Sequence, residues 1–237
     1  MKVALVGYGT MGQVVEKKLI NRGHEIVGVI SLGMKEDLCE IEEEFDVIVD
    51  FSHPSNLDMI LKFVEARNIP LVVATTGYSD VQIAQIKEAG KRHAIVYTAN
   101  FSLGITVFEE VLRLISPILE DTFDIEVIEK HHNKKIDAPS GTAKMLVDAI
   151  DPNHQYERVY GREGMQKRSK EIGVHAIRGG SIVGEHSVIF AGEDEIFEIK
   201  HEAHSKNVFA SGALRCAEFI KGKPAGIYNM HDVLFSK

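Results

Sequence analysis

The chain opens with short, continuously apolar runs that alternate with stretches of helical periodicity. Lys2 to Val6 is the first run, and Met11, Val14, Val15 and Leu19 follow at helical spacing that ends at Gly23. Glu25 to Ile30 predicts a second strand, and the acidic stretch Glu36 to Asp46 reads as a connector or a solvated helix face. Val47 to Phe51 predicts a third strand, apolar throughout as a parallel strand buried on both faces should be. Asn56 to Arg67 predicts a helix with Leu57, Ile60, Leu61 and Val64 on one face. Leu71 to Ala74 is a fourth strand, Ser79 and Gln82 have capping-box spacing for the next helix, and Ala94 to Tyr97 is a fifth strand. Repeated strand–helix alternation predicts an α/β fold with a Rossmann-like doubly wound parallel sheet, whose ligands sit past the carboxyl ends of the strands.

Beyond Ser102 the pattern changes. Ile105, Phe108, Leu112, Ile115 and Leu119 predict one long helix over 103–119, with Pro117 in its last turn. Ile125 to Ile128, Gly173 to Arg178, Ile182 to Phe190 and Ile196 to Lys200 predict strands, interrupted by a helix from Ser140 to about Ile150. Such a series predicts a second, α+β domain with a mixed sheet. Asp151 to Lys170 is polar and reads as an irregular loop. Arg178 to His186 contains a glycine turn that reads as a tight link between two strands, with His186 as a hydrogen-bonded structural histidine. Val208 to Lys221 predicts a final helix, and the tail passes through Pro224 and Gly226.

Composition narrows the class. A chain of 237 residues can build one large domain or two modest ones, and 44% hydrophobic with 26% charged residues is ordinary for a globular protein. No apolar run approaches the roughly 18 residues of a membrane span. The first residues are too short and glycine-rich for a signal peptide and read as a buried strand. Cys39 and Cys216, distant and alone, make neither a disulfide framework nor a zinc spacing, which fits a reducing cytoplasm. The 11 histidines include no H-E-x-x-H, and His201 and His204 do not share a strand face, so no metal site is expected. The net charge is −8, yet Lys130, Lys134 and Lys135 cluster beside His131 and His132. A basic island on an acidic chain suits a small anion, because a nucleic acid needs a broad positive face.

Two motifs carry candidate chemistry. Gly7-Tyr8-Gly9-Thr10-Met11-Gly12 is G-x-G-x-x-G between a strand and a helix, the context in which glycines let a backbone approach a pyrophosphate. At the end of the second strand, where NAD sites usually carry an acid for the ribose, stands Ser31, and the next acid is Glu36. Lys35 lies nearby and could meet a 2′-phosphate, which leans towards NADPH or dual use. The second motif is the stretch Ile125 to Leu146. A strand leads to a loop of lysine and histidine, and Ser140-Gly141-Thr142 opens a helix whose free N–H groups can face an anion.

Within that stretch, H-H-x-x-K-x-D-A-P-S-G-T from His131 to Thr142 resembles the signature of the 4-hydroxy-tetrahydrodipicolinate reductase (dihydrodipicolinate reductase) family of bacterial lysine biosynthesis. Arg178 to His186 is similar to the family's R-G-G-x-x-G-x-H segment, and the likeness covers essentially the whole chain. The resemblance implies reduction of a cyclic unsaturated dicarboxylate with NADPH and/or NADH, hydride going to ring carbon 4 and a proton to the carbon beside the imine. It implies His131 and Lys135 as the catalytic acid pair, and substrate contacts from His132, Ser140, Gly141 and Thr142. Asp137 holds the loop and Lys134 stays at the surface. A-T-T-G and A-N-F-S place Thr75, Thr76, Gly77, Ala99, Asn100, Phe101 and Ser102 against the nicotinamide half of the cofactor. The C-terminus folds back onto the nucleotide domain, giving a dinucleotide-binding domain of 1–102 plus 212–237 and a substrate-binding and oligomerisation domain of 103–211. The resemblance also implies a homotetramer. Rival expectations are another Rossmann-type small-molecule dehydrogenase, which should lack the His131–Thr142 string, and a non-catalytic dinucleotide sensor, which has little need of an acid pair.

Overall fold

A computed structural model describes residues 1–35 and 37–236. Glu36, the acid nearest the expected ribose position, lies outside the described residues. The chain forms two compact units, Met1–Leu103 with Asn207–Lys237, and Gly104–Lys206. The sequence reading puts the second crossing after Ser211, but Ser211 lies inside a continuous helix, where its hydroxyl donates to the Asn207 carbonyl at 3.0 Å. The crossing falls between Lys206 and Asn207, at the start of that helix.

In the first unit, β1 (Lys2–Val6), α1 (Thr10–Asn21), β2 (Glu25–Ile30), β3 (Val47–Asp50), α2 (Leu57–Arg67), β4 (Leu71–Val73), α3 (Asp80–Gly90) and β5 (Ala94–Tyr97) follow the predicted alternation. The second unit holds α4 (Leu103–Leu119) from Gly104 onward, β6 (Asp124–His131), α5 (Gly141–Ile150), β7 (Glu157–Tyr160), β8 (Glu171–Arg178), β9 (Gly184–Ala191) and β10 (Ile196–Ala203). The chain then returns with α6 (Asn207–Ile220), β11 (Gly226–Tyr228) and α7 (Met230–Phe235).

The first sheet has six strands in the order β11-β5-β4-β3-β1-β2, all parallel. Alternate side chains serve opposite faces. Val3, Leu5, Val47 and Val49 join Val15 and Leu19 of α1 and Ala213, Ala217 and Ile220 of α6 in one cluster. Ala4, Val6 and Ile48 join Leu57, Ile60 and Val64 of α2 and Ile86 of α3 in the other. Because every strand runs the same way, the segments after β1, β3, β4 and β5 emerge at one edge.

The second sheet is mixed, in the order β10-β9-β6-β8-β7. β6 lies at its centre, parallel to β8 and antiparallel to β9. Ile105, Phe108 and Leu112 of α4 and Leu146, Val147 and Ile150 of α5 pack on Ile125, Val127, Ile172, Val174, Val188 and Phe190.

Further expectations are corrected. β7 is a strand within the stretch that reads as an irregular loop, and β11 is a strand in the tail, where the sequence predicts no element. Each is an edge strand of three or four residues held by backbone pairing, too short and too polar or glycine-containing to show an alternation. β6 continues past Ile128 to His131, so His131 ends a strand rather than sitting in a loop. The glycine segment after Arg178 is no hairpin turn: β8 and β9 flank β6 on opposite sides, and the segment crosses the end of β6 between them. Among the described residues no helix is long and apolar enough to cross a membrane.

Candidate active site

The first unit presents a glycine cradle. Gly7 has φ +93°, and a Cβ there would fall 2.4 Å from the Phe51 carbonyl oxygen. A Cβ on Gly12 would fall 2.2 Å from the Gly7 carbonyl oxygen, so this glycine lets α1 pack against the turn. Gly9 differs, because a Cβ there would meet nothing within 4 Å. It is the N-cap of α1, and no side chain caps that helix. Open space in front of an uncapped helix start suits a pyrophosphate, so the residues present fit a dinucleotide. Tyr8 and Thr10 line the same turn, and the Tyr8 hydroxyl donates to Glu16 at 2.5 Å.

The neighbouring loops are tied together from below. Asp50, at the end of β3 and 1% exposed, accepts from Ser52 Oγ at 2.5 Å, Ser52 N at 3.0 Å and Tyr78 Oη at 3.0 Å. Burial pushes its carboxyl above the usual range even though these donors pull it down. Ser52 N also donates to Thr75 Oγ1 at 2.8 Å, joining the loops after β3 and β4. Past β5, Asn100 Oδ1 accepts from Ser102 N at 2.8 Å, and Phe101 is buried against the Phe51 ring. Lys35 follows β2, and its ammonium donates to the Glu40 carbonyl at 2.7 Å.

The second unit holds the polar cluster. Along β6, Ile125, Val127, Glu129 and His131 share the inward face, so a strand that begins as core ends as chemistry. Glu129 is fully buried. Its Oε2 accepts from His131 Nδ1 at 2.5 Å and Arg178 Nη1 at 2.7 Å, and its Oε1 from Arg178 Nη2 at 2.7 Å and Ser140 N at 2.9 Å. Burial alone would raise its pKa, but Arg178, His131 and the Ser140 N–H outweigh burial and hold it below the usual range. Arg178 also donates to the Asp137 carbonyl at 2.7 Å. The glycine segment closes over the strand end: Gly179 N donates to His131 O at 2.9 Å, and Asn133 N to Gly180 O at 3.2 Å.

Ser140 is the N-cap of α5, its hydroxyl accepting from Ala143 N at 3.1 Å and sharing a 3.1 Å hydrogen bond with His186 Nε2. Gly141 and Thr142 are the first residues of that helix. The His131 and His186 rings meet edge to face at 5.2 Å. Lys135 Nζ pairs with Asp137 Oδ1 at 2.8 Å, which holds the Asp137 carboxyl below its usual range. His132 Nδ1 is buried with no hydrogen-bond partner among the described residues.

This geometry agrees with what the chain matches. The family model "Dihydrodipicolinate reductase, N-terminus" covers residues 1–101, and "Dihydrodipicolinate reductase, C-terminus" covers residues 104–234. The chain belongs to the dihydrodipicolinate reductase family. It is 45% identical to the 4-hydroxy-tetrahydrodipicolinate reductase of Clostridium novyi over 100% of this chain and 99% of that protein. To the reductase of the same name from Staphylococcus aureus it is 41% identical, over 98% of this chain and 100% of that one. In fold it is similar to a dipicolinate-bound dihydrodipicolinate reductase from Paenisporosarcina sp. TG-14, with TM-score 0.78, 21% identity and 99% of each chain covered.

Dinucleotide use follows from the reductase family and the glycine cradle together. The structure brings His131, Ser140 and His186 into one cluster and sets Lys135 on the adjoining loop, while the loops with Thr75 to Gly77 and Ala99 to Ser102 share the sheet edge of the cradle. The sequence reading passed over Glu129. Its place two residues before His131, in step with Ile125 and Val127, was a readable sign that an acid faces inward.

Proposed function

We propose that this reductase converts 4-hydroxy-tetrahydrodipicolinate, by way of dihydrodipicolinate, to tetrahydrodipicolinate in the diaminopimelate route to lysine. The observation that carries the reading is the convergence of His131, Ser140 and Arg178 on the buried Glu129, all within the residues that the family's C-terminal model covers. When bound, the nicotinamide supplies a hydride for ring carbon 4. Gly7 to Gly12 hold its pyrophosphate, and Thr75, Thr76, Gly77, Ala99, Asn100, Phe101 and Ser102 frame its nicotinamide half.

Substrate carboxylates are taken by His132 and by the hydroxyl and N–H groups of Ser140, Gly141 and Thr142 at the start of α5. His131 and Lys135 hold the proton that the carbon beside the imine must receive, and either charge steadies the negative charge that grows there. Asp137 occupies the Lys135 ammonium at 2.8 Å, so an arriving carboxylate competes for that ammonium. The dipicolinate in the Paenisporosarcina enzyme is a cyclic dicarboxylate, which supports this substrate class.

Further parts belong to the same proposal. The cofactor is NADPH, or either nucleotide, with Lys35 leaving the Glu40 carbonyl to meet a 2′-phosphate. The protein is cytoplasmic, consistent with its two free cysteines, and assembles as a homotetramer through the second-unit sheets.

The test is the absorbance of the reduced nicotinamide. Purified protein is mixed with substrate made freshly by the preceding synthase from pyruvate and aspartate semialdehyde, with NADH and NADPH in parallel. Rapid oxidation is expected, and the ratio of efficiencies reports on Lys35. Lys135→Ala should lower kcat by roughly a hundredfold, about 3 kcal/mol of transition-state stabilisation. Activity of that variant within about threefold of wild type removes Lys135 from the acid pair. Cofactor binding without oxidation favours a sensor or another substrate.

A further inference from the structure

We infer that Glu129 is the positioning residue of this site, one carboxylate that sets the hydrogen and direction of the His131 ring and anchors the Ser140 turn. The kinetic consequences rest on the proposed reductase function; the tautomer does not. Four hydrogen bonds reach Glu129, and its three certain donors are the two Arg178 nitrogens and the Ser140 N–H. The fourth partner is His131 Nδ1, at 2.5 Å from Oε2. An ionised carboxylate only accepts, so Nδ1 must carry a hydrogen, and Nε2 is the ring nitrogen left for substrate. Nε2 lies beside Gly184, where a Cβ would come to 3.2 Å from it and crowd the ring.

The same carboxylate joins three segments: β6 through His131, the N-cap of α5 through Ser140, and the end of β8 through Arg178. Arg178 spans both oxygens, which fixes the carboxylate plane and hence the line along which His131 is held. An amide in its place has one acceptor edge. Turned with its NH2 towards Ser140, it faces a donor with a donor. Turned towards His131, it forces the hydrogen onto Nε2 and removes the acceptor there. Second-sphere carboxylates of this kind fix ring orientation for catalytic and metal-bound histidines generally.

The first test is nitrogen NMR of the full-length protein labelled at histidine, with His131 assigned by its loss in His131→Gln. The neutral ring should carry its hydrogen on Nδ1. A ring with its hydrogen on Nε2 overturns the inference, whether or not the protein reduces the proposed substrate. The second test is a kinetic cycle. Glu129→Gln should lower kcat by roughly a hundredfold while the KM for nicotinamide nucleotide stays within about threefold. In a His131→Gln background the same change should cost kcat less than about threefold, because its effect on kcat runs through the ring, while the lost Ser140 anchor shows as a raised substrate KM in both backgrounds. Equal losses in both backgrounds would show that Glu129 serves the fold alone and would overturn the inference. Glu129→Asp, which keeps the charge on a shorter arm, should recover part of kcat. If Glu129→Gln fails to fold, the wild-type tautomer and the Glu129→Asp cycle still decide.

Discussion

At the scale of single residues, the fold sets the charge of several groups around the site. His186 shows this best. It is 4% exposed, and burial first, then the neighbouring His131, push its pKa down to about 4 from 6.5. His201 and Lys135 act in the same direction, and Glu129 opposes them. A histidine depressed in the folded state takes a proton more readily when unfolded. Its contribution to stability is therefore complete above pH 6.5 and lost as pH falls towards about 4. The slope is at most about 1.4 kcal/mol per pH unit, roughly 3 kcal/mol across the window. Glu129 loses its own contribution lower down, as pH falls below its unfolded value of 4.5, so the two windows adjoin. Urea midpoints followed from neutral pH down to the lower end of the His186 window should fall more steeply in wild type than in His186→Gln. Parallel curves would mean that His186 does not titrate as its burial requires. None of these contacts could be read locally, because Arg178 reaches Glu129 across 49 residues and His186 reaches Ser140 across 46. Only the parity of Glu129 with Ile125 and Val127 was visible beforehand.

At the scale of elements, legibility followed burial. β1, β3, β4 and β5 are buried on both faces and stand out as apolar runs, and β2, an edge strand only partly buried, still carries an apolar run, so β1 to β5 and the helices between them match the sequence pattern closely. β7 and β11 are edges, held by backbone bonds that leave little trace in side-chain chemistry. β6 was legible as core but not as far as His131, since its last residues carry polar side chains held by partners elsewhere. The glycine motif was legible as a whole, while the separate duties of its glycines needed the fold. Those duties predict opposite outcomes. Gly12→Ala drives a Cβ against the Gly7 carbonyl oxygen and should cost roughly 2–3 kcal/mol of stability, read as a lower thermal midpoint. Gly9→Ala meets no atom and should melt within a few degrees of wild type. Its methyl group occupies the space in front of α1, and nucleotide affinity by fluorescence titration should drop at least about tenfold. Unchanged affinity in Gly9→Ala would place the pyrophosphate elsewhere.

At the scale of the whole molecule, the second-unit sheet poses a problem that one chain leaves open. Its inward face is covered by α4 and α5. The opposite face carries Ile128 of β6, Ile177 of β8, Ile189 of β9 and Ile196 of β10, set among Glu126, Lys130, His175, Glu185, Glu198 and Lys200. Ile177 is 46% exposed and Ile196 is 72% exposed. Branched apolar side chains repeated across neighbouring strands favour a partner surface, and a sheet can satisfy them by facing a copy of itself. The proposed homotetramer does this, and it predicts a mass by light scattering of four times 26.3 kDa. Ile177→Glu puts an unpaired charge into such an interface but leaves the cluster under α4 and α5 untouched, so the chain should still fold and still bind nucleotide. Its mass should fall at micromolar concentration while its circular dichroism stays that of wild type. A wild-type protein that remains at 26.3 kDa at high concentration would sink the tetramer, and the exposed isoleucines would then need another partner.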